Sequence, residues 1–405
     1  MKKKWGLFIC CKEFILMVYI KKLLLVFASF VIMLCLGGVY AWSIVASELI
    51  KEFNYTIAET QLVFGTLIAI FPLTMIFVGH LAKRLTPRFL GYISAILFIT
   101  GYLLAAFSKG HFFPLIMGIG VLAGIGTGIG YWICLMIPVQ CFPKRKGSVT
   151  GIAAAGFGLG AVFLSMFIER LLESFQVLSV LMIIGVSYGL VILFFSNFIS
   201  WGRNIPQPQL GKRFFLNTMP FYRLFLGILL GTFAGLLIIG SLKLIGEYKN
   251  ISSQSLLLAV SLFAVANFLG RLFWGFICDY INTNLVIFFS LAVQAVSILF
   301  LDIGQLSNVS YLVLSFFVGF GFGGNFVLFA KETAQLFGIN NLGIIYPFVL
   351  LGYAVAGILG PFAGGLMYGY TASFTLAIQL ASFLSLFGAL IYLFHYLKVK
   401  STYAH

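Results

Sequence analysis

Charge is scarce in this sequence. Only 9% of the 405 residues are Asp, Glu, Lys or Arg, and only ten residues are acidic. A soluble domain carries roughly 25% charged residues, so this chain lacks the polar surface needed to face water. The ten prolines and six cysteines are few as well. The cysteines (Cys10, Cys11, Cys35, Cys134, Cys141, Cys278) lie in apolar runs or near their ends, and none has metal-ligand spacing with His. They read as reduced, small apolar side chains, and no metal or cofactor site is expected. Alternating polar and apolar residues are missing too, which excludes a transmembrane β-barrel.

What the sequence does have is apolar length. Hydrophobic residues make up 61% of the chain, and mean hydropathy is +1.10. A helix needs about 20 apolar residues to cross the hydrocarbon core. Twelve such helices are predicted at 22–47, 58–82, 89–108, 112–138, 147–169, 176–199, 219–245, 254–277, 284–303, 309–331, 341–368 and 371–397. The chain is therefore expected to be an all-α protein of the bilayer. Residues 1–21 carry Lys12 and Glu13 inside a shorter run, and read as an amphipathic N-terminal segment at the inner surface. No small-residue cleavage site follows, so they are not read as a signal peptide, and Met17 is an alternative start.

The net charge of +15 comes from 25 basic and ten acidic residues. No basic face with interleaved aromatics lies outside the apolar runs, so nucleic acid is not an expected partner. The basic residues sort by side instead. Nineteen of the 25 fall on the side of the N-terminus, and Lys51, Lys109, Arg170, Lys243 and Lys249 fall on the other. That bias places both termini in the cytoplasm of a plasma or inner membrane. The three Asn-x-Ser/Thr sequons, at Asn54, Asn250 and Asn308, fall in the outer loops.

The chain reads as two halves. The polar stretch 200–218 divides six helices at 22–199 from six at 219–397, with a cytoplasmic tail at 398–405. A shift of 196 residues sets Gly79 on Gly275, Gly128 on Gly324, Gly147 on Gly343 and Gly156 on Gly352. Paired six-helix bundles of this kind hold their ligand at the interface near mid-membrane. Glycine-rich runs in helix 5 (Gly151 to Phe163) and helix 11 (Gly352 to Gly365) allow close backbone approach or sliding contact between halves.

One charge stands inside a helix. Arg271, in NFLGRLFWGF of helix 8, lies eight residues before the loop acid Asp279, about 12 Å into the bilayer. Burying it costs at least ~2.5 kcal/mol on insertion scales. It either snorkels to the headgroups or serves a wet central site. Asn267 stands one turn earlier on the same face. A guanidinium fork with an amide suits a carboxylate, and no acid lies near enough in sequence to neutralise the arginine. A small anionic substrate is therefore expected, and a single cation favours a monoanion. Protons are a candidate second ligand that would travel on the substrate or through a less obvious group, because no buried acid is visible as a carrier and the four His residues sit in loops or at helix ends, where they are poor candidates. Polar and aromatic groups on the other candidate cavity helices are Tyr40, Gln61, Tyr131, Phe322, Asn325, Phe326, Tyr346 and Tyr353. Hydroxyls and amides orient a small acid while rings cover its apolar body.

Two loops resemble the G-x-L-a-D-r-x-G-r-R loop of the major facilitator superfamily, once per half. They are GHLAKRLTPR, from Gly79 through Lys83 and Arg84 to Arg88, and GFICDYINTN, from Gly275 through Asp279 to Asn284. The first copy has Lys83 in place of the acid and Thr86 in place of the second glycine, and the second lacks the basic residues. These departures imply a weakened charge latch.

The runs GGVYAWSIV, TQLVFGTLIAIFPLTMIFVGHL, CFPKRKGSVTG and NFLGRLFWGFICD, in this order, resemble the oxalate:formate antiporter family and its bacterial monocarboxylate-transporter relatives. The likeness runs from about Leu23 to Phe394. It implies a twelve-helix carrier working by alternating access as a monomer. It also implies that Arg271 binds carboxylate, with Tyr40, Gln61, Tyr131, Phe322 and Phe326 around it. The oxalate branch has a lysine in helix 11 where Tyr353 stands here, so the resemblance favours a monocarboxylate over oxalate. Asn267 replaces the aspartate of the animal-type carriers, which puts their proton relay in doubt. Carriers of amino acids or other organic anions are the alternative, and no catalytic pair points to an enzyme.

Overall fold

The computed structural model describes the backbone of residues 2–199, 214–302 and 305–402, without the side chains of 2–16, 40, 43, 57, 58, 61, 214 and 402. Most of the predicted linker 200–218 lies outside these residues; Phe214–Asn217 form one 3-10 turn. Among the described residues there is no strand, and twelve helices are long and apolar enough to cross a membrane. We label them α1 (Met17–Phe53), α2 (Ile57–Leu81), α3 (Pro87–Ala106), α4 (Phe112–Cys141), α5 (Lys146–Leu172) and α6 (Val177–Ser196). The second six are α7 (Met219–Tyr248), α8 (Ser253–Ile277), α9 (Thr283–Phe300), α10 (Asn308–Phe337), α11 (Ile339–Thr371) and α12 (Thr375–Thr402).

Several helices run past their apolar cores. The helix leading into α1 begins at Lys2, and α1 contains a 3-10 turn at Gly37–Ala41. Lys and Glu are good helix formers, so the charges at 12, 13, 21 and 22 end the apolar run without ending the helix. For the same reason α10 continues through Lys331 and Glu332 to Phe337. Local chemistry sets the ends elsewhere. Thr56 and Glu59 form a capping box on α2, and Thr86 caps α3 ahead of Pro87. Two sequon asparagines close turns in the left-handed conformation, Asn54 at φ 57° and Asn250 at φ 59°, which Asn tolerates better than most residues.

The halves meet through α5 with α8 and α10, α2 with α11, and α4 with α11. The glycine repeat has a physical meaning here. A Cβ on Gly79 would stand 2.6 Å from the Gly343 carbonyl, and one on Gly147 would stand 2.4 Å from the Gly275 carbonyl. The α2–α11 and α5–α8 crossings are thus images of each other under the 196-residue shift. Gly156 and Gly352 likewise press on backbone carbonyls, of Phe30 and Phe225.

Candidate functional site

Arg271 projects from α8 into the seam between the halves and has no exposed surface. Its Nε donates to Asn267 Oδ1 at 3.0 Å, across one turn of its own helix. Its Nη1 donates to the Ala154 carbonyl of α5, in the other half, at 2.7 Å. Nη2 is buried and has no hydrogen-bond partner among the described residues. The guanidinium lies 4.4 Å from the Phe326 ring centre and 5.9 Å from that of Phe157. No carboxylate pairs with it among the described residues. A charge at mid-membrane costs several kcal/mol. One cation–π contact returns ~0.5–2 kcal/mol, and hydrogen bonds from a charged group ~1.5–3 kcal/mol each. The arginine is held in place but not neutralised.

Aromatic rings from both halves close around it. Tyr131 (α4) packs on Phe71 (α2) at 5.3 Å and on Phe157 (α5) at 5.2 Å. Tyr353 (α11) packs on Phe326 (α10) at 5.1 Å and on Phe71 at 6.2 Å. Phe322 extends the cluster from Phe326 at 5.4 Å toward Phe263 of α8. The Tyr346 hydroxyl donates to the Phe326 carbonyl at 2.9 Å and lies within electrostatic reach of both Tyr131 and Arg271.

Of the sequence-expected residues, Arg271, Asn267, Tyr131, Phe322, Phe326 and Tyr353 come together. Asn325 does not. Its amide donates to the Phe322 carbonyl, and its Oδ1 faces Gly231 of α7 inside the second half. The side chains of Tyr40 and Gln61 lie outside the described residues. Phe71, Phe157 and the Ala154 carbonyl join the site without having been expected. Phe157 had one available signal: it is the lone large residue in the small-residue run Ala153 to Gly158 of a helix expected at the seam.

A second polar cluster lies at the end of the bundle carrying the Lys/Arg-rich loops, here called the basic end. Asp279 crosses the seam to cap α5. It accepts from Gly147 N at 2.9 Å, Ser148 N at 2.8 Å and Ser148 Oγ at 2.7 Å. The residue before α5, Arg145, offers no side-chain cap of its own. Lys331 of α10 pairs with Asp279 at 3.3 Å, with both side chains buried. The next residue, Glu332, turns to the opposite side and pairs with Arg223 of α7 at 3.3 Å. Two buried acids thus stand where only loop and helix-end charges were read. Trp132 Nε1 adds an inter-half hydrogen bond to the Gly343 carbonyl at 2.7 Å. Gly275 packs on Gly147 and Gly151. In the other loop copy Gly79 packs on α11, while Lys83 and Arg84 are exposed in the turn. The expected weakening of the latch is one-sided. A lysine cannot cap a helix N-terminus, whereas the Asp279 copy is fully made, with Lys331 in attendance.

Paired six-helix halves meeting along glycine-lined helices around a buried arginine with no acid partner among the described residues are the architecture of a membrane carrier, and the comparisons with known proteins agree. The sequence profile of the Major Facilitator Superfamily matches residues 25–215 and 224–404. The chain belongs to this superfamily. It is 26% identical over 332 residues to the uncharacterized MFS-type transporter YhjX of Escherichia coli, covering 80% of this chain and 82% of that one. It is 25% identical over 369 residues to the oxalate:formate antiporter of Oxalobacter formigenes, covering 88% of each. Monocarboxylate transporter 9 of Rattus norvegicus is 21% identical over 472 aligned positions, covering 91% of each. Among solved structures, a bacterial homologue of the iron transporter ferroportin superposes with a TM-score of 0.73 at 14% identity, covering 92% of this chain and 98% of that one. The proton:xylose symporter XylE superposes with a TM-score of 0.72 at 12% identity, covering 91% and 94%. These structures share the fold. The chain is an integral membrane transporter of this superfamily, and it is not an enzyme.

Proposed function

We propose that this transporter carries small monocarboxylates of the lactate or pyruvate kind by alternating access. The carrying observation is Arg271: fully buried at the seam, unpaired by any carboxylate among the described residues, and with Nη2 unpartnered. A carboxylate completes it, because a guanidinium presents planar N–H pairs that match two carboxylate oxygens. The surrounding rings of Phe71, Phe157, Phe326 and Tyr353 suit a short apolar body. Two relatives are named for carrying oxalate and formate and for carrying monocarboxylates, and that supports an organic anion as cargo. The protein sits in the plasma or inner membrane with both termini in the cytoplasm, on the distribution of its basic residues, and works as a monomer, each chain carrying both halves of the seam. The bonds of Asp279 to Gly147 and Ser148 across the seam support a gating role for it at the basic end, its release opening that side.

A second reading, exchange of oxalate for formate, is favoured by the 25% identity to the antiporter over 88% of both chains. Against it, Arg271 has no second cation in its cluster among the described residues, and a dianion would keep one buried charge unmatched.

The test is uptake of labelled L-lactate into proteoliposomes, with and without an imposed inward proton gradient, alongside Arg271→Gln. Uptake by the wild type that the variant loses sustains the reading, and gradient dependence makes the carrier a symporter. A folded wild type that moves no lactate, or a variant that transports normally, refutes it. Competition by oxalate but not by pyruvate would favour exchange, and competition by alanine would favour an amino-acid carrier.

A further inference from the structure

A carrier whose buried cation has no acid partner faces a difficulty on the return stroke. Once the acid has left, the guanidinium must stay in the seam while the halves reorient, and an uncompensated buried charge opposes this. In a carrier whose cation is neutralised by cargo alone, the empty form stays put and only exchange is seen. The surroundings of Arg271 are different. We infer that this carrier reorients without cargo, and so supports net flux of its acid rather than exchange alone. The inference rests on the monocarboxylate reading above.

Three observations carry it. First, the protein itself solvates the cation from both halves. Asn267 Oδ1 accepts from Nε at 3.0 Å, the Ala154 carbonyl accepts from Nη1 at 2.7 Å, and the Phe326 ring faces the guanidinium at 4.4 Å. All three are neutral, so they attend the arginine whether or not an anion is bound. Second, Nη2 has no protein partner among the described residues. A carboxylate can add to these contacts through Nη2 without displacing the contact to Asn267. Third, the bond between halves sits on the line where they touch most extensively. The α5–α8 crossing runs from Gly147, against Gly275 and Asp279, past Gly151, against the Arg271 carbonyl, to Gly158, against Phe268 and Arg271 Nε. Ala154 lies inside that run of about 16 Å. Opening parts this run from its Gly147 end, and a rigid rocking motion displaces points deeper in the seam less than that end. The Arg271–Ala154 bond, about 10 Å deeper along α5, is therefore disturbed less than the Asp279 cap when the basic end opens.

The test compares two fluxes in liposomes containing the full-length protein. The probe is labelled L-lactate, with pH equal on both sides and the membrane potential clamped at zero by potassium and valinomycin. Uptake into a lactate-free lumen should run within about threefold of uptake into a lumen preloaded with unlabelled L-lactate, since the empty return is not a forbidden step. Exchange without any net uptake overturns the inference and leaves the monocarboxylate reading standing. Asn267→Leu removes one of the neutral acceptors. It should lower the ratio of net uptake to exchange about tenfold, the worth of one hydrogen bond to a charged group. Equal loss of both fluxes overturns the positioning role of Asn267.

If neither flux is seen, the monocarboxylate reading fails, and a cargo-free measurement decides this inference on its own. Cys278 is buried between α5 and α8 at the basic end, and burial pushes its thiol up to about 12. A membrane-permeant maleimide reaches it only when the halves part there. Time-dependent alkylation of Cys278 in acid-free protein, located by mass spectrometry, sustains the inference. A Cys278 that stays protected until acid is added overturns it.

Discussion

Asp279→Asn should unlatch the basic end. The carboxylate spans the seam through three hydrogen bonds of 2.7–2.9 Å to Gly147 and Ser148. Its pair with Lys331 joins two helices of the same half, so that contact survives opening and does not favour the closed form. Only the three bonds to α5 count. Asparagine keeps one acceptor oxygen and turns an NH2 toward the other donors, so at least one bond is lost. Hydrogen bonds to a charged group contribute ~1.5–3 kcal/mol each. A negative charge at a helix N-terminus adds ~0.3–1 kcal/mol. The closed form should lose about 2–4 kcal/mol relative to the open one, roughly a 30- to 700-fold shift in their ratio at 1.4 kcal/mol per decade. The assay is the rate of Cys278 alkylation, because this thiol is buried at the same crossing and only an open basic end exposes it. The rate should rise steeply until opening no longer limits it. A variant that folds and labels within about twofold of the wild type would show that the caps on α5 do not set the conformational balance, and the latch reading would fall.

Other outcomes follow from single contacts. Trp132→Phe removes the 2.7 Å bond to the Gly343 carbonyl; at ~1 kcal/mol for a neutral bond, it should speed Cys278 alkylation about fivefold. Glu332→Gln leaves Arg223 buried without its acid, which should cost up to ~3–5 kcal/mol and show as a lower Tm in detergent. The double change Arg223→Met with Glu332→Met should recover most of that loss. Tyr353→Lys places a second cation beside Phe326 and Arg271, and should raise inhibition of lactate uptake by oxalate at least ~tenfold, measured by competition. Gly156→Leu drives a side chain into the Phe30 carbonyl, 2.2 Å from an added Cβ, and should abolish accumulation of folded protein, read by monodispersity on size exclusion.

The twelve spans were legible in the sequence because bilayer thickness converts directly into residue count. Their ends were less so: hydropathy marks where lipid stops, and Lys or Glu can continue a helix past that point, as at Lys331 and Glu332. The glycine register was legible as a repeat, but its purpose was not. Only the fold shows that Gly79 meets Gly343 while Gly147 meets Gly275. Arg271 was conspicuous because an arginine inside an apolar helix is rare, and Asn267 followed from helical spacing. Phe71 and Phe157 were hidden among 46 phenylalanines, since nothing in composition separates a ring facing the seam from one facing lipid. Asn325 shows the converse: an amide on a candidate helix that packing turns toward Gly231.

The sequence by itself determined the class of this protein: a twelve-helix membrane protein with one deep arginine. Those properties are sums over local hydropathy and charge, and they need no knowledge of which helix touches which. The tertiary structure alone decided what surrounds that cation. The Ala154 carbonyl belongs to a backbone group that every residue possesses, so no side-chain signal announces it. The cap that Asp279 places on α5 joins residues more than 130 positions apart. Both contacts arise from the rigid-body docking of two halves, a geometry that local pattern does not encode.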